Sequence, residues 1–197
     1  RLGSSLFLLG HYYQDDAILR HVDAVGDSLE LARRAAACTS AQRLVFCGVR
    51  FMAETADLLT APGQRVYMPE TGAGCPMADM AGASQAEACA ARVTPVWGRD
   101  WVPIVYVNST AALKAFCGRR GGSACTSSNA FRVFRWALDA GKRILFMPDE
   151  HLGTNIAHDA GLPDEAVVLY DPHAPSGGVA DADLQRARVA VWKGYCH

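Results

Sequence analysis

Phe46-Cys47-Gly48-Val49-Arg50, Tyr106-Val107-Asn108-Ser109-Thr110 and Phe146-Met147-Pro148-Asp149-Glu150 repeat one event: an apolar run ends in a small or polar turn and a helical pattern follows. Stacked βαβ units produce such repeats, because a strand rejoins a parallel sheet only through a crossover, usually a helix. Working outward from these turns, apolar runs predict strands over 6–9, 44–47, 65–68, 104–107, 144–147 and 190–192. Helices are expected over 51–59, 111–116 and 129–140. A further helix carries the periodic run Leu29, Leu31, Ala32, Ala35 and Ala36, with Asp27 or Ser28 as its N-cap. The internal repeat predicts two similar α/β domains, residues 1–82 and 83–197, with the break in the Ala- and Gly-rich stretch 81–94.

Composition narrows the function classes. The chain has 197 residues, half of them apolar, and a net charge of −1 with both signs interspersed. That is enough to bury a core and too little positive charge for a nucleic-acid surface, so no nucleic-acid partner is expected. No apolar run approaches the roughly 20 residues of a membrane span, and the first residues lack a signal-peptide pattern. A cytoplasmic protein without a membrane partner is expected. The seven cysteines, at 38, 47, 75, 89, 117, 125 and 196, have neither disulfide-scaffold nor zinc-ribbon spacing, which fits a reducing compartment. Cys38, Cys47, Cys89 and Cys117 read as core residues or free thiols.

The candidate site residues all follow a predicted strand, at the end where open α/β sheets gather ligands. His11 and Tyr13, in Leu9-Gly10-His11-Tyr12-Tyr13-Gln14, offer an acid–base group and a phenol; alone, the segment reads more simply as aromatic packing. Ser28 and Ser127 sit where helices are expected to begin, so each either caps its helix or helps bind an anion at the positive end of the helix dipole. Tyr106 and Asn108 alternate along a strand end and therefore face one side. Cys75, in Gly74-Cys75-Pro76-Met77-Ala78-Asp79-Met80, and Cys196, in Trp192-Lys193-Gly194-Tyr195-Cys196-His197, are too far apart for any spacing rule to flag. Asp149 and His151 could be catalytic but read first as domain contacts, and Arg50 and Glu54, at i and i+4 on one helical face, read as a surface pair. No Gly-x-Gly-x-x-Gly or Gly-x-x-x-x-Gly-Lys-Ser/Thr loop is present, which disfavours a generic metal-free phosphate-binding enzyme.

In combination, the Cys75 and Cys196 segments, His11-Tyr12-Tyr13-Gln14 and Cys125-Thr126-Ser127-Ser128-Asn129-Ala130 resemble quinolinate synthase, over nearly the whole chain. The resemblance implies pseudo-symmetric three-layer αβα domains with short parallel sheets, two of the family's usual three being present. It implies the condensation of iminoaspartate with dihydroxyacetone phosphate to quinolinate in NAD biosynthesis, a transferase and dehydration chemistry linked to the aspartate oxidase that makes iminoaspartate. His11, Tyr13 and Tyr106 become the expected catalytic residues, and His11, Ser28, Tyr106, Asn108 and Ser127 the expected substrate-binding residues. Cys75 and Cys196 become ligands of a 4Fe-4S cluster whose third cysteine is absent from this chain; Cys125 is set aside as a replacement. The alternative expectation is a truncated, non-catalytic fragment that folds and binds a dicarboxylate without an intact cluster.

Overall fold

A computed structural model describes residues 2–196, which fall into two compact units that divide between Cys75 and Pro76. Each is an α/β unit built on one all-parallel sheet.

The first unit runs β1 (Leu6–His11), α1 (Asp16–Leu19), β2 (Ala24–Gly26), α2 (Ser28–Ala37), β3 (Arg43–Cys47), α3 (Arg50–Leu59) and β4 (Arg65–Tyr67). Its strands lie in the order β2-β1-β3-β4, with Leu9 opposite Phe46 and His11 opposite Gly26. Leu9, Leu44 and Phe46 are fully buried, as are Leu31, Ala32, Ala35 and Ala56 from α2 and α3. The i, i+1, i+4 spacing of the α2 residues is the apolar face read from the sequence.

In the second unit, α4 (Pro76–Asp79) and α5 (Ala83–Trp97) precede β5 (Trp101–Tyr106), α6 (Ala111–Arg119), β6 (Ser123–Cys125) and α7 (Ala130–Asp139). Then come β7 (Arg143–Met147), α8 (Glu150–Asp159), β8 (Val167–Tyr170), α9 (Asp181–Arg186) and β9 (Val189–Trp192), in the sheet order β6-β5-β7-β9-β8. Side chains alternate across this sheet and divide the core in two. Leu145, Met147, Ala190 and Trp192 pack with Cys89, Val93, Phe116 and Leu184 from α5, α6 and α9. Ile144, Phe146, Val189 and Val191 pack with Phe134, Ala137, Ile156 and Ala157 from α7 and α8. Helices on both faces of a continuously apolar sheet make the three αβα layers. Gly153 lets α8 come down on β7 and β9, because a Cβ there would lie 2.5 Å from the Phe146 ring and 2.7 Å from Val191.

The structure adds three strands to the sequence reading. Ala24-Val25-Gly26 and Ser123-Ala124-Cys125 are short edge strands without a bulky apolar residue run, so their composition carries no strand signal. Val167-Val168-Leu169-Tyr170 does carry one, and its β-branched run is what could have found it. Where the domain break is expected from sequence, helix α5 runs instead. Ala86, Cys89, Ala90 and Val93 are buried at i, i+3, i+4 and i+7, so the Ala-rich stretch is one face of a packed helix rather than a linker. The compact units divide just before it, at Cys75.

Trp192 is fully buried in the core shared by α5 and the sheet, and its indole Nε1–H donates to the Met80 carbonyl at 2.9 Å. Trp192→Phe keeps most of the apolar contact and leaves that carbonyl without its partner. The second unit should lose about 1–3 kcal/mol, measured by chemical unfolding followed at its tryptophans.

Candidate active site

Parallel strands point their carboxyl ends the same way, so residues just beyond them share one edge of their own sheet. In the first unit that edge carries His11 and Ser28. His11 ends β1 beside Gly26 of β2, and Ser28 follows two residues later. His11 is 3% exposed, whereas Tyr13 is 77% exposed; the rings of His11, Tyr12 and Tyr13 lie with centroids 4.3–4.8 Å apart. Burial holds the His11 imidazole below its ordinary 6.5, and the Asp27 carboxylate opposes that shift. Its Nδ1 accepts the Tyr13 backbone N–H at 3.3 Å.

Of the two possible caps for α2, the structure selects Asp27, whose Oδ1 accepts the Glu30 N–H at 2.8 Å. Ser28 is the first residue of the helix proper. This frees its hydroxyl from the capping role, beside the unmatched N–H groups of the first turn.

The second unit's edge carries Tyr106, Asn108 and Ser127. Tyr106 ends β5 opposite Cys125 of β6, so Asn108 and Ser127 follow adjacent strand ends. Burial alternates from Tyr106 to Thr110: Val107 and Ser109 are buried, and Tyr106, Asn108 and Thr110 are half-buried. Asn108 lies beyond β5, which ends at Tyr106, in the bend that leads to α6. Ser127 corrects one expectation, because it does not begin a helix. Helix α7 starts at Ala130, and Asn129 closes the preceding turn by accepting the Thr126 N–H on its side chain at 2.7 Å. Ser127 is an exposed residue of that turn.

The loop before Cys75 is fastened to the start of α3. The Arg50 backbone N–H donates to Ala73 O and its guanidinium to Thr71 O, both at 2.9 Å, while Glu70 Oε1 accepts the Gly72 N–H at 2.7 Å. Arg50, read from sequence as a surface residue, thus holds the cysteine loop. Cys196 follows a segment held just as closely in the second unit. Gly194 O accepts the Glu150 N–H at 2.7 Å, and the Tyr195 N–H points at Met80 Sδ at 3.3 Å. A Cβ on Gly194 would lie 2.2 Å from Pro148 O, so only glycine fits there. Lys193 pairs with Asp171 at 2.7 Å. Asp149 is a helix cap, accepting the His151 and Leu152 N–H groups.

The seven cysteines separate by environment. Cys89, Cys117 and Cys125 are buried, and burial pushes each thiol up to about 12. A thiol held protonated is a poor metal ligand, so these three are core residues. Cys75 is half-buried and Cys196 exposed, outside either core. They fit thiolate ligation in kind. Among the described residues, however, no group of three or more His, Cys, Asp or Glu side chains stands ready to hold a metal. No helix among the described residues is long and apolar enough to cross a membrane.

The comparisons with known proteins agree with the motifs. A family model described as Quinolinate synthetase A protein matches residues 3–197. A quinolinate synthase of Bacillus cereus is 48% identical over 196 residues, which is 100% of this chain and 53% of the relative. Quinolinate synthases of Bacillus thuringiensis and Bacillus anthracis match with the same identity and coverage. The chain spans about half the length of the curated relatives it matches. With a match along nearly its entire length, the chain belongs to the quinolinate synthetase A family.

Proposed function

We propose that the chain supplies part of the catalytic machinery of a cytoplasmic quinolinate synthase, which condenses iminoaspartate with dihydroxyacetone phosphate and is fed by an aspartate oxidase. The observation that carries this reading is positional. The family-like residues of each unit, His11 and Ser28 in one and Tyr106, Asn108 and Ser127 in the other, all end or follow strands at the carboxyl edge of their own sheet.

In this reading His11 works as a neutral imidazole. Because Nδ1 accepts the Tyr13 N–H, the ring proton sits on Nε2. A neutral Nε2–H donates to a carbonyl oxygen and shares the proton as an enediolate forms there, without bringing an imidazolium charge into the site. Tyr13, largely exposed beside it, offers a phenol for the same proton traffic. Ser28 adds a hydroxyl to the N–H groups opening α2, a setting that favours carboxylate or phosphate. Asn108 both donates and accepts, which suits an imine or carboxylate, while the Tyr106 hydroxyl orients a carbonyl and Ser127 adds another donor. Cys75 and Cys196 would hold two corners of a 4Fe-4S cluster, which when bound supplies an iron without a protein ligand as a Lewis acid for dehydration. A second reading, a fragment that binds a dicarboxylate without catalysis, is favoured by the absence, among the described residues, of three or more His, Cys, Asp or Glu side chains grouped to hold a metal.

The test is an anaerobic assay with iminoaspartate generated in place, dihydroxyacetone phosphate, and iron and sulfide reconstitution. The protein is compared as this chain and as the same chain extended to the length of its relatives. The extended protein should form quinolinate, and the short chain should hold its cluster poorly, since two thiolates leave two irons open where three leave one. Stable four-iron loading with turnover in the short chain would contradict the ligand count; an extended, loaded protein that forms no quinolinate would sink the function.

Substitutions in the extended enzyme separate the roles. His11→Asn should lower kcat by roughly a hundredfold or more, whereas Ser28→Ala should raise KM by roughly tenfold with a smaller change in kcat.

His11 also sets a pH dependence. Its folded pKa lies below 6.5, so between the two values the unfolded chain binds the extra proton, and stability falls as pH drops below 6.5. Urea unfolding at pH 7.5 and pH 5.5 should show that loss, and His11→Gln should reduce it. An equal loss in the variant would mean that other groups carry it.

A further inference from the structure

The link between β5 and α6 holds a charged group that the roles above leave unused. Only residues 107–110 separate the strand from the helix, and Asn108 lies in their midst. The Lys114 ammonium donates to the Val107 carbonyl at 2.8 Å and to the Ser109 carbonyl at 2.5 Å, gripping the backbone on both sides of Asn108. Ser109, fully buried, closes the same link from within: its Oγ donates to Tyr106 O at 2.7 Å and its N–H to Val107 O at 2.8 Å. Val107 in turn is tied to the sheet through its N–H on Cys125 O at 2.7 Å.

The position of Lys114 is unusual for its charge. It lies in the first turn of α6, where the helix dipole disfavours a cation. The side chain leans back toward the helix start, as the Cα–Cβ direction dictates, and its two carbonyl acceptors offset that unfavourable field. No neutral side chain can reach two carbonyls with the donor count and charge-assisted strength of an ammonium.

We infer that Lys114 is a positioning residue for Asn108, holding the Val107 and Ser109 carbonyls so that the Asn108 amide meets its anionic ligand without first ordering the link. This rests on the reading of Asn108 as a ligand contact. Preorganisation of this kind raises affinity because the ordering cost is met before binding. A guanidinium in place of the ammonium would retain charge and donors with a different reach, so Lys114→Arg should keep part of the effect.

The test uses Lys114→Met and Lys114→Arg in the 197-residue chain. Lys142→Met, which breaks only the surface pair with Asp100 at 3.2 Å, controls for the lost charge. Amide hydrogen exchange by NMR, thermal unfolding and titration with quinolinate are read together. In Lys114→Met, exchange at the Ser109 amide should speed up by roughly tenfold or more while the Val105 amide inside β5 holds its protection. Quinolinate affinity should weaken by roughly tenfold, with partial recovery in Lys114→Arg and no change in Lys142→Met. Unchanged exchange at Ser109, or a rise spread equally through β5, would overturn the inference, the latter by showing general destabilisation. If Lys114→Met does not fold, Lys114→Gln, which keeps one donor, is read at the same two amides by the same criteria. A wild-type chain that does not bind quinolinate would overturn the reading of Asn108 as a ligand contact in this chain and with it the positioning role, while the exchange data would still decide the grip on the link.

Discussion

Parallel pairing is the constraint on which the structure depends. Every strand of each sheet runs the same way, so every return crosses a face of the sheet, and in the second unit the returns cover both faces with helices. Apolar side chains fill both faces there, Ile144 and Phe146 on one and Leu145 and Met147 on the other. Such a sheet has little tolerance for polar residues in its body. Variation in chemistry is left to the links beyond the strand ends, and the carboxyl edge collects polar and titratable side chains while the core stays apolar.

Those links are short, so local polar contacts decide their shape. Asp27 and Asp149 each accept N–H groups at a helix start, and Asn129 closes the turn before α7 with its side chain. Ser109 and Lys114 do the same for the link that carries Asn108. The same logic governs the cysteine segments, since Arg50 fastens the loop ahead of Cys75 and Met80 receives both the Trp192 indole and the Tyr195 N–H. His11 shows the electrostatic side of this arrangement. Removed from water at a strand end, its imidazole is biased toward neutrality, and a single backbone N–H selects the nitrogen that carries the proton.

Much of this is legible in the chain itself. Runs such as Leu44-Val45-Phe46-Cys47 and Ile144-Leu145-Phe146-Met147 are long and apolar enough to announce buried strands, and the turns after them announce the crossovers. His11, Ser28, Tyr106, Asn108, Ser127, Cys75 and Cys196 stand out because a strand end or a family-like phrase surrounds each. The edge strands β2 and β6 are not legible, since pairing with a longer neighbour, and not composition, makes Ala24–Gly26 and Ser123–Cys125 into strands. Helix α5 reads as a break because alanine is common to linkers and to closely packed helices.

Sequence alone determined the fold class, the family and the residues to watch, because hydrophobic period and motif identity are properties of order along a chain. Tertiary structure alone decided which of those residues are held, and by what. That Asp27 rather than Ser28 caps α2, that Cys125 is sealed in a core while Cys196 is exposed, and that Lys114 grips both sides of Asn108 all depend on distances between groups. Hydrogen bonding and desolvation act through space within a few ångströms, and a linear order of residues does not specify which groups come that close.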